Sequence, residues 1–273
     1  DAQMQAIARE LSVSETAFRL PSEDAGRCLR YFTPEREIDL CGHATVAMHA
    51  ELLRAGEIEP GKSTFMTSVG ILEVEVTSDG MIWMAQQSPT VQDVNISPET
   101  VANALGISSS GIMTDIPIAR SSTGLPFLIV PITYLEILGE MAPDYSAIEQ
   151  LADEHEAAGI YAATFDTLSS RSTVHARCFV PGAGIPEDPV TGTASGACAG
   201  YLDWSDALGE ELSRSTAADD ALVFEQGNFI DRAGRVHVRM DGDNTPWVGG
   251  TAVTSLSGEL SVPVLDTDDV IEA

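Results

Sequence analysis

The residues best suited to chemistry fall in two short runs. In the first, Glu37 precedes Cys41-Gly42-His43-Ala44-Thr45; in the second, Glu187-Asp188-Pro189 precedes Thr191-Gly192-Thr193-Ala194-Ser195. Each run sets a glycine at the head of a helix-like segment. The first amides of a helix have no intrahelical acceptor, and the dipole leaves partial positive charge there. Glycine lets a ligand come close to that backbone. If two such ends face one cleft, the chemistry they offer is capture of a small carboxylate. Plainer readings stand beside this one. The glycines would permit tight strand-to-helix turns, His43 would be a capping or internally satisfied histidine, and Asp188 before Pro189 would start a turn.

These runs belong to an internal repeat. Arg30-Tyr31-Phe32-Thr33-Pro34 leads into the first and Arg177-Cys178-Phe179-Val180-Pro181 into the second, so each copy reads R-x-F-x-P, a loop, then E-x-x-x-x-G-x-A-[ST]. A second correspondence joins Ile71–Val76 with Asp79-Gly80 to Arg235–Met240 with Asp241-Gly242; each reads as a strand and a turn. A period of about 150 residues is far too long for a solenoid and fits duplication of an α/β domain. The pattern predicts helices over 2–10, 43–54, 98–105, 145–157 and 192–203, the second and last being small-residue amphipathic runs. Strands are expected over 16–20, 28–33, within 64–84, near 115–119, 126–132, 160–166 and 173–180, and between 221 and 261. Gln87–Ile96 reads as the link between halves, which divide as 1–92 and 93–250, with C-terminal strands near 250–273 completing the first half.

The whole composition narrows the class. The chain has 273 residues, 44% of them hydrophobic and 21% charged, which suits a folded protein of one or two domains. Its formal net charge is −28, and Lys62 is the sole lysine. Phosphate backbones would be repelled, so nucleic acid is not expected as a partner. Acid spread along the chain fits a protein kept soluble in a salty cytoplasm, a halophile-like signature. The longest apolar stretch, Leu125–Ile132, is too short to span a bilayer. Four cysteines without metal-like spacing fit a reducing cytosol.

Three ordered segments carry a family resemblance. They are Leu11-Ser12-Val13-Ser14-Glu15-Thr16-Ala17-Phe18, then Phe32-Thr33-Pro34 with Glu37 and Gly42-His43, then Glu187-Asp188-Pro189-Val190-Thr191-Gly192-Thr193. Together they resemble the phenazine-biosynthesis (PhzF-like) isomerase family, as do Gly249–Val253 and Gly258-Glu259-Leu260, which look like that family's closing strands. The resemblance implies a diaminopimelate-epimerase-like fold of mixed α/β class, with two pseudo-symmetric domains, each a mixed sheet wrapped round a central helix. It implies isomerase chemistry without metal or organic cofactor on a small carboxylate, and a homodimer. Glu15 matches the proton-shuttling glutamate, while His43 and Asp188 match the family's histidine and aspartate. Gly42, Ala44, Gly192 and Thr193 match the substrate-binding positions. The strand that precedes the first helix in family members has no counterpart here, so an unpaired sheet edge is expected.

The chemistry is consistent with these residue types. An allylic proton shift needs one base that removes a proton from carbon and returns it elsewhere on the same face. A carboxylate whose pKa is raised by desolvation would serve, with His43 and Asp188 steadying the anion. Ser12-x-x-Glu15 also fits a capping box, although Thr16-Ala17-Phe18 reads as strand. A two-thiol racemase is a rival, but Cys41 would face Thr191, which is far too weak an acid. A non-catalytic binding module is another. No zinc-protease, nucleophile-elbow, phosphate-loop or dinucleotide fingerprint is present, and His43 and His49 point to different helix faces.

Overall fold

The computed structural model describes residues 1–208 and 221–261. The first helix, α1 (Ala2–Leu11), ends where Ser12 turns left-handed at φ 51° and returns its N–H to Ala8. Ser12 therefore closes a helix and opens none, and the capping-box reading fails. Strand β1 (Thr16–Ser22) pairs antiparallel with β2 (Gly26–Phe32) and tolerates Pro21 because it lies at the end of the sheet path. The two-residue β3 (Glu37–Ile38) folds back on β2 and leads into helix α2 (Gly42–Arg54). Strands β4 (Gly61–Thr67), β5 (Gly70–Val76) and β6 (Ile82–Ala85) follow as a meander.

The second half repeats the plan with additions. After β7 (Thr90–Asp93) come helix α3 (Pro98–Leu105), strands β8 (Ala119–Ser122) and β9 (Pro126–Pro131), and helices α4 (Leu135–Glu140) and α5 (Tyr145–Glu154). Next stand β10 (Ile160–Thr164), β11 (Val174–Val180), β12 (Ile185–Asp188) and helix α6 (Gly192–Trp204), then β13 (Leu222–Gln226), β14 (Gly234–Met240) and β15 (Pro246–Gly250). Gln87–Ile96 is thus more than a link, because β7 within it pairs with β8 and Val91 packs on the core. The strand expected near 115–119 starts at Ala119, beyond Pro117, which has no N–H for the ladder. Helix α5 stops at Glu154, two residues before Glu156 turns left-handed. The short β3, α4 and β12 are too brief to show a period. Residues 251–261 form no strand, so the described part of the closing segment ends its pairing at Gly250; 262–273 lie outside the described residues.

One hydrogen-bonded path joins the halves in the order β1-β2-β4-β5-β6-β15-β14-β13-β11-β10-β9-β8-β7. The seam is β6 against β15, where Met84 faces Val248 and Trp83 faces Gly249. The repeated hairpins β5–β6 and β14–β15 meet there back to back, which gives the sequence correspondence at Asp79-Gly80 and Asp241-Gly242 its structural meaning.

Three cores follow. Leu29, Tyr31, Phe65, Val74 and Met84 enclose α2, while Phe127, Ile129, Ala176, Phe224 and Val238 enclose α6. Leu128, Val130, Ile160 and Phe179 of the sheet lie beneath α3, α4 and α5, the last contributing Ile148. Strand β9 is buried on both faces, hence its unbroken apolar run. Helix α6 is not amphipathic: every residue from Ala194 to Leu202 is buried. Its small residues admit the crossing chain, since a Cβ added at Gly196 would lie 1.9 Å from Gln86 Oε1, and one at Gly200 2.3 Å from Pro89 Cβ.

The repeated arginine and glutamate make the same construction twice. Arg30 forks onto Glu37 with contacts of 2.7 and 2.6 Å and stacks over Phe32; Arg177 forks onto Glu187 at 2.9 and 2.7 Å and stacks over Phe179. Each pair ties β2 or β11 to the short strand that delivers the chain to α2 or α6. The spacing of the repeat is therefore the spacing of a bidentate clamp.

Candidate active site

The two glycine-headed helices meet at the seam. A Cβ at Gly42 would lie 3.6 Å from Met84 Cε, and one at Gly192 3.1 Å from Val248 Cγ1. Met84 and Val248 are register partners, so both helix starts rest on one cross-strand pair. Neither glycine has positive φ. The turns therefore do not demand glycine, and ordinary space for a methyl group exists at Gly42. Neither backbone conformation nor crowding therefore accounts for glycine at position 42.

Helix caps sharpen this. In α3, Ser97 accepts from the Thr100 amide, and in α5, Asp144 accepts from Ser146 and Ala147. Cys41 and Thr191, the N-caps of α2 and α6, give no such bond. The leading amides of Gly42, His43 and Ala44, and of Gly192, Thr193 and Ala194, have no side-chain cap. Each start is braced from behind instead. Thr45 and Ser195 donate to the N-cap carbonyls at 2.8 and 2.9 Å, and Tyr31 and Tyr161 approach those hydroxyls at 2.6 and 3.1 Å.

The three acid–base residues come together from distant segments. Glu15 lies between α1 and β1, His43 is the second residue of α2, and Asp188 ends β12. His43 Nε2 stands 2.9 Å from Glu15 Oε2, with Glu15 largely covered and His43 largely exposed. The contact is a short ion pair in which the N–H is not well aligned on Oε2. Contact with His43 holds the Glu15 carboxyl below its ordinary range, against burial that pushes it up, and Ser14 assists. His43 is pushed up to about 10 by Cys41 and then by Glu15, with burial opposing. Asp188 moves the other way: burial raises it, and the charge of Glu15 adds to this, while Thr191 and His43 pull it down. The expectation that desolvation dominates at Glu15 is thus corrected. The imidazole beside it outweighs burial, and the raised carboxyl is Asp188.

Cys41 Sγ is 3.6 Å from each ring nitrogen of His43. A point that far from both in the ring plane would overlap the carbon between them, so the thiol sits over the ring face. Glu15, Cys41 and His43 bring donor atoms within 4.8 Å of one another, yet the imidazole lone pairs do not point at the sulfur. Those donors do not converge on one ion in this arrangement.

On the other side, Thr191 donates its hydroxyl to Asp188 Oδ2. Gln226, buried on β13, donates to the Asp188 carbonyl at 2.7 Å and to Thr191 Oγ1 at 2.9 Å, and accepts from the Thr191 amide at 3.2 Å. Nothing in the spacing of the sequence singled out Gln226, which lies 35 residues beyond Thr191 and outside the repeat. Cys198 is fully buried within α6 with its thiol pushed up by burial. No second thiol faces Cys41 among the described residues.

A family model described as "Phenazine biosynthesis-like protein" matches residues 1–258. The chain is 37% identical over 244 residues to the "Uncharacterized isomerase YfhB" of Bacillus subtilis, covering 88% of this chain and 80% of that protein. It superposes on the crystal structure of a Bacillus anthracis PhzF-family phenazine biosynthesis protein with a TM-score of 0.78 and 32% identity, covering 92% of this chain and 86% of that one. A probable proline racemase from Agrobacterium radiobacter K84 is similar in fold alone, with a TM-score of 0.63 and 12% identity over 98% of this chain and 84% of the other. The architecture is therefore mixed α/β of the diaminopimelate-epimerase-like type. With its clamps, glycine-headed helices and Glu15, His43 and Asp188 at one seam, this chain belongs to the PhzF-like phenazine biosynthesis family.

Proposed function

We propose that the chain is an isomerase that moves a proton along a small, cyclic carboxylic acid, using Glu15 as its acid–base group and no metal or organic cofactor. The observation that carries this is the Glu15–His43 pair at 2.9 Å, set in the electrostatic field of Asp188 beside two uncapped helix starts. The substrate carboxylate takes the amides of Gly42–Ala44 and Gly192–Ala194. Glu15, ionised by its neighbour, removes a proton from carbon and returns it to another carbon on the same face. Cationic His43 and Asp188 steady the charge that develops between those steps. Two carboxyl groups with pKa values pushed apart divide the roles of base and acid.

The test uses an amino- and hydroxyl-bearing cyclohexadiene carboxylic acid in deuterium oxide, with label incorporation followed by NMR. Glu15→Gln is expected to slow incorporation by about 10²–10⁴-fold while thermal unfolding stays close to that of the parent. Unchanged incorporation removes Glu15 from the mechanism. Cys41→Ala is expected to keep turnover, and its loss there would point to thiol chemistry instead.

A further inference from the structure

Threonine is a favoured helix N-cap, its oxygen normally accepting from an amide of the first turn. Thr191 departs from that habit and donates its hydroxyl to Asp188 Oδ2. The carboxamide of Gln226 explains the direction. Its Nε2 serves two oxygens, the Asp188 carbonyl and Thr191 Oγ1, and its Oε1 takes the Thr191 amide. Reversing the amide would set its oxygen against the Asp188 carbonyl and its N–H against the Thr191 amide. The carboxamide is thereby locked, and it is buried at 1% exposure. Gln226 Nε2 has no lone pair to accept, so the Thr191 proton goes to Asp188 Oδ2, a stronger acceptor than the neighbouring Cys178 thiol.

We propose that Thr191 and Gln226 are positioning residues that cap Asp188 on one oxygen and so confine its exchangeable proton to Oδ1. The proposal rests on Asp188 acting as an acid–base group, and it deepens that reading by saying which oxygen acts. An uncapped carboxyl can carry its proton on either oxygen and turn about its bond. A capped one presents a single oxygen in a fixed direction, which proton transfer to one face of a substrate requires. The same geometry accounts for the asymmetry between the halves. Cys41 occupies the N-cap of α2, whereas α6 has at that place a hydroxyl committed to orienting a carboxyl group.

The groups acting on Asp188 are Glu15, His43 of α2 and Arg232 of the loop after β13, with Cys178 of β11, its register partner, and Tyr161 of β10 close by. Removing the cap leaves burial and Glu15 to act with less opposition, so Asp188 should hold its proton to higher pH. The experiment is a ¹³C NMR titration of protein labelled at aspartate Cγ, the Asp188 signal being assigned by its loss in Asp188→Asn. Thr191→Val is expected to move the Asp188 midpoint upward by about one pH unit, and Thr191→Ser to restore it. Gln226→Met, which frees the hydroxyl to turn away, should also raise it. In the parent protein the Thr191 hydroxyl proton should exchange slowly with solvent. An unmoved midpoint in folded Thr191→Val overturns the proposal. If that variant does not fold, an unmoved midpoint in Gln226→Met, or rapid exchange of the hydroxyl in the parent, does so. None of these readings needs a substrate, so they separate failure of the cap from failure of the isomerase assignment.

Discussion

At the scale of single residues, the site is organised by one short ion pair. Glu15 is ionised below the ordinary carboxylate range and His43 keeps its proton up to about 10, so the pair is intact across the whole interval between. The sign of a perturbation follows. In His43→Asn the strongest influence lowering Glu15 disappears while burial remains, so its midpoint must rise. The acid limb of the pH–rate profile should therefore shift upward, with the alkaline limb near 10 lost. Gly42→Ala asks a different question of the same site. Its backbone conformation suits alanine and its methyl group has room beside Met84, so folding should be unchanged. Calorimetry with a small cyclic carboxylate should show binding weakened about tenfold, the loss of roughly one charge-assisted hydrogen bond. Equal affinity would mean that the amides at α2 are not the carboxylate site.

At the scale of elements, one motif has two energetic values. The Arg30–Glu37 pair is part-exposed, at 23% and 39%, whereas Arg177–Glu187 is buried, at 7% and 6%. Arg177 also donates to the carbonyls of Leu138 and Met141 at the end of α4. Arg30→Ala should therefore cost about 0–1 kcal/mol, and Arg177→Ala about 3–5 kcal/mol because it strands a buried carboxylate. Urea unfolding of the two variants compares them directly; equal losses would refute the dependence on burial. The helices and strands themselves were legible wherever a period ran long enough, as in α2, β5 and β14, whereas α6 was legible from its place in the repeat. Elements of two to six residues, β3, α4 and β12, were not, because their pairing partners rather than their own patterns define them.

At the scale of the whole molecule, charge is the dominant feature. A net charge of −28 opposes compaction, and the repulsion acts over a distance that shrinks from about 10 Å at 0.1 M salt to about 3 Å at 1 M. The melting temperature should therefore rise as sodium chloride is raised from 0.1 to 1 M, and scanning calorimetry would show it. A flat or falling response would dissociate the acidic surface from a salt-adapted habit. No helix among the described residues is long and apolar enough to cross a membrane.

The sequence by itself determined the duplication, the glycine-headed helices and the family, and it singled out Glu15, His43 and Asp188 as candidates, because repeats and motifs are local patterns of residue type. Its reading of the clamp residues stopped at their spacing, since pairing of Arg30 with Glu37 and of Arg177 with Glu187 is a contact across strands. Only the tertiary structure decided that both helix starts rest on Met84 and Val248, that His43 overrides burial at Glu15, and that Gln226 directs the Thr191 hydroxyl. Each depends on groups far apart in the chain meeting at fixed distance, and both the direction of a hydrogen bond and the sign of a pKa shift are set by such neighbours.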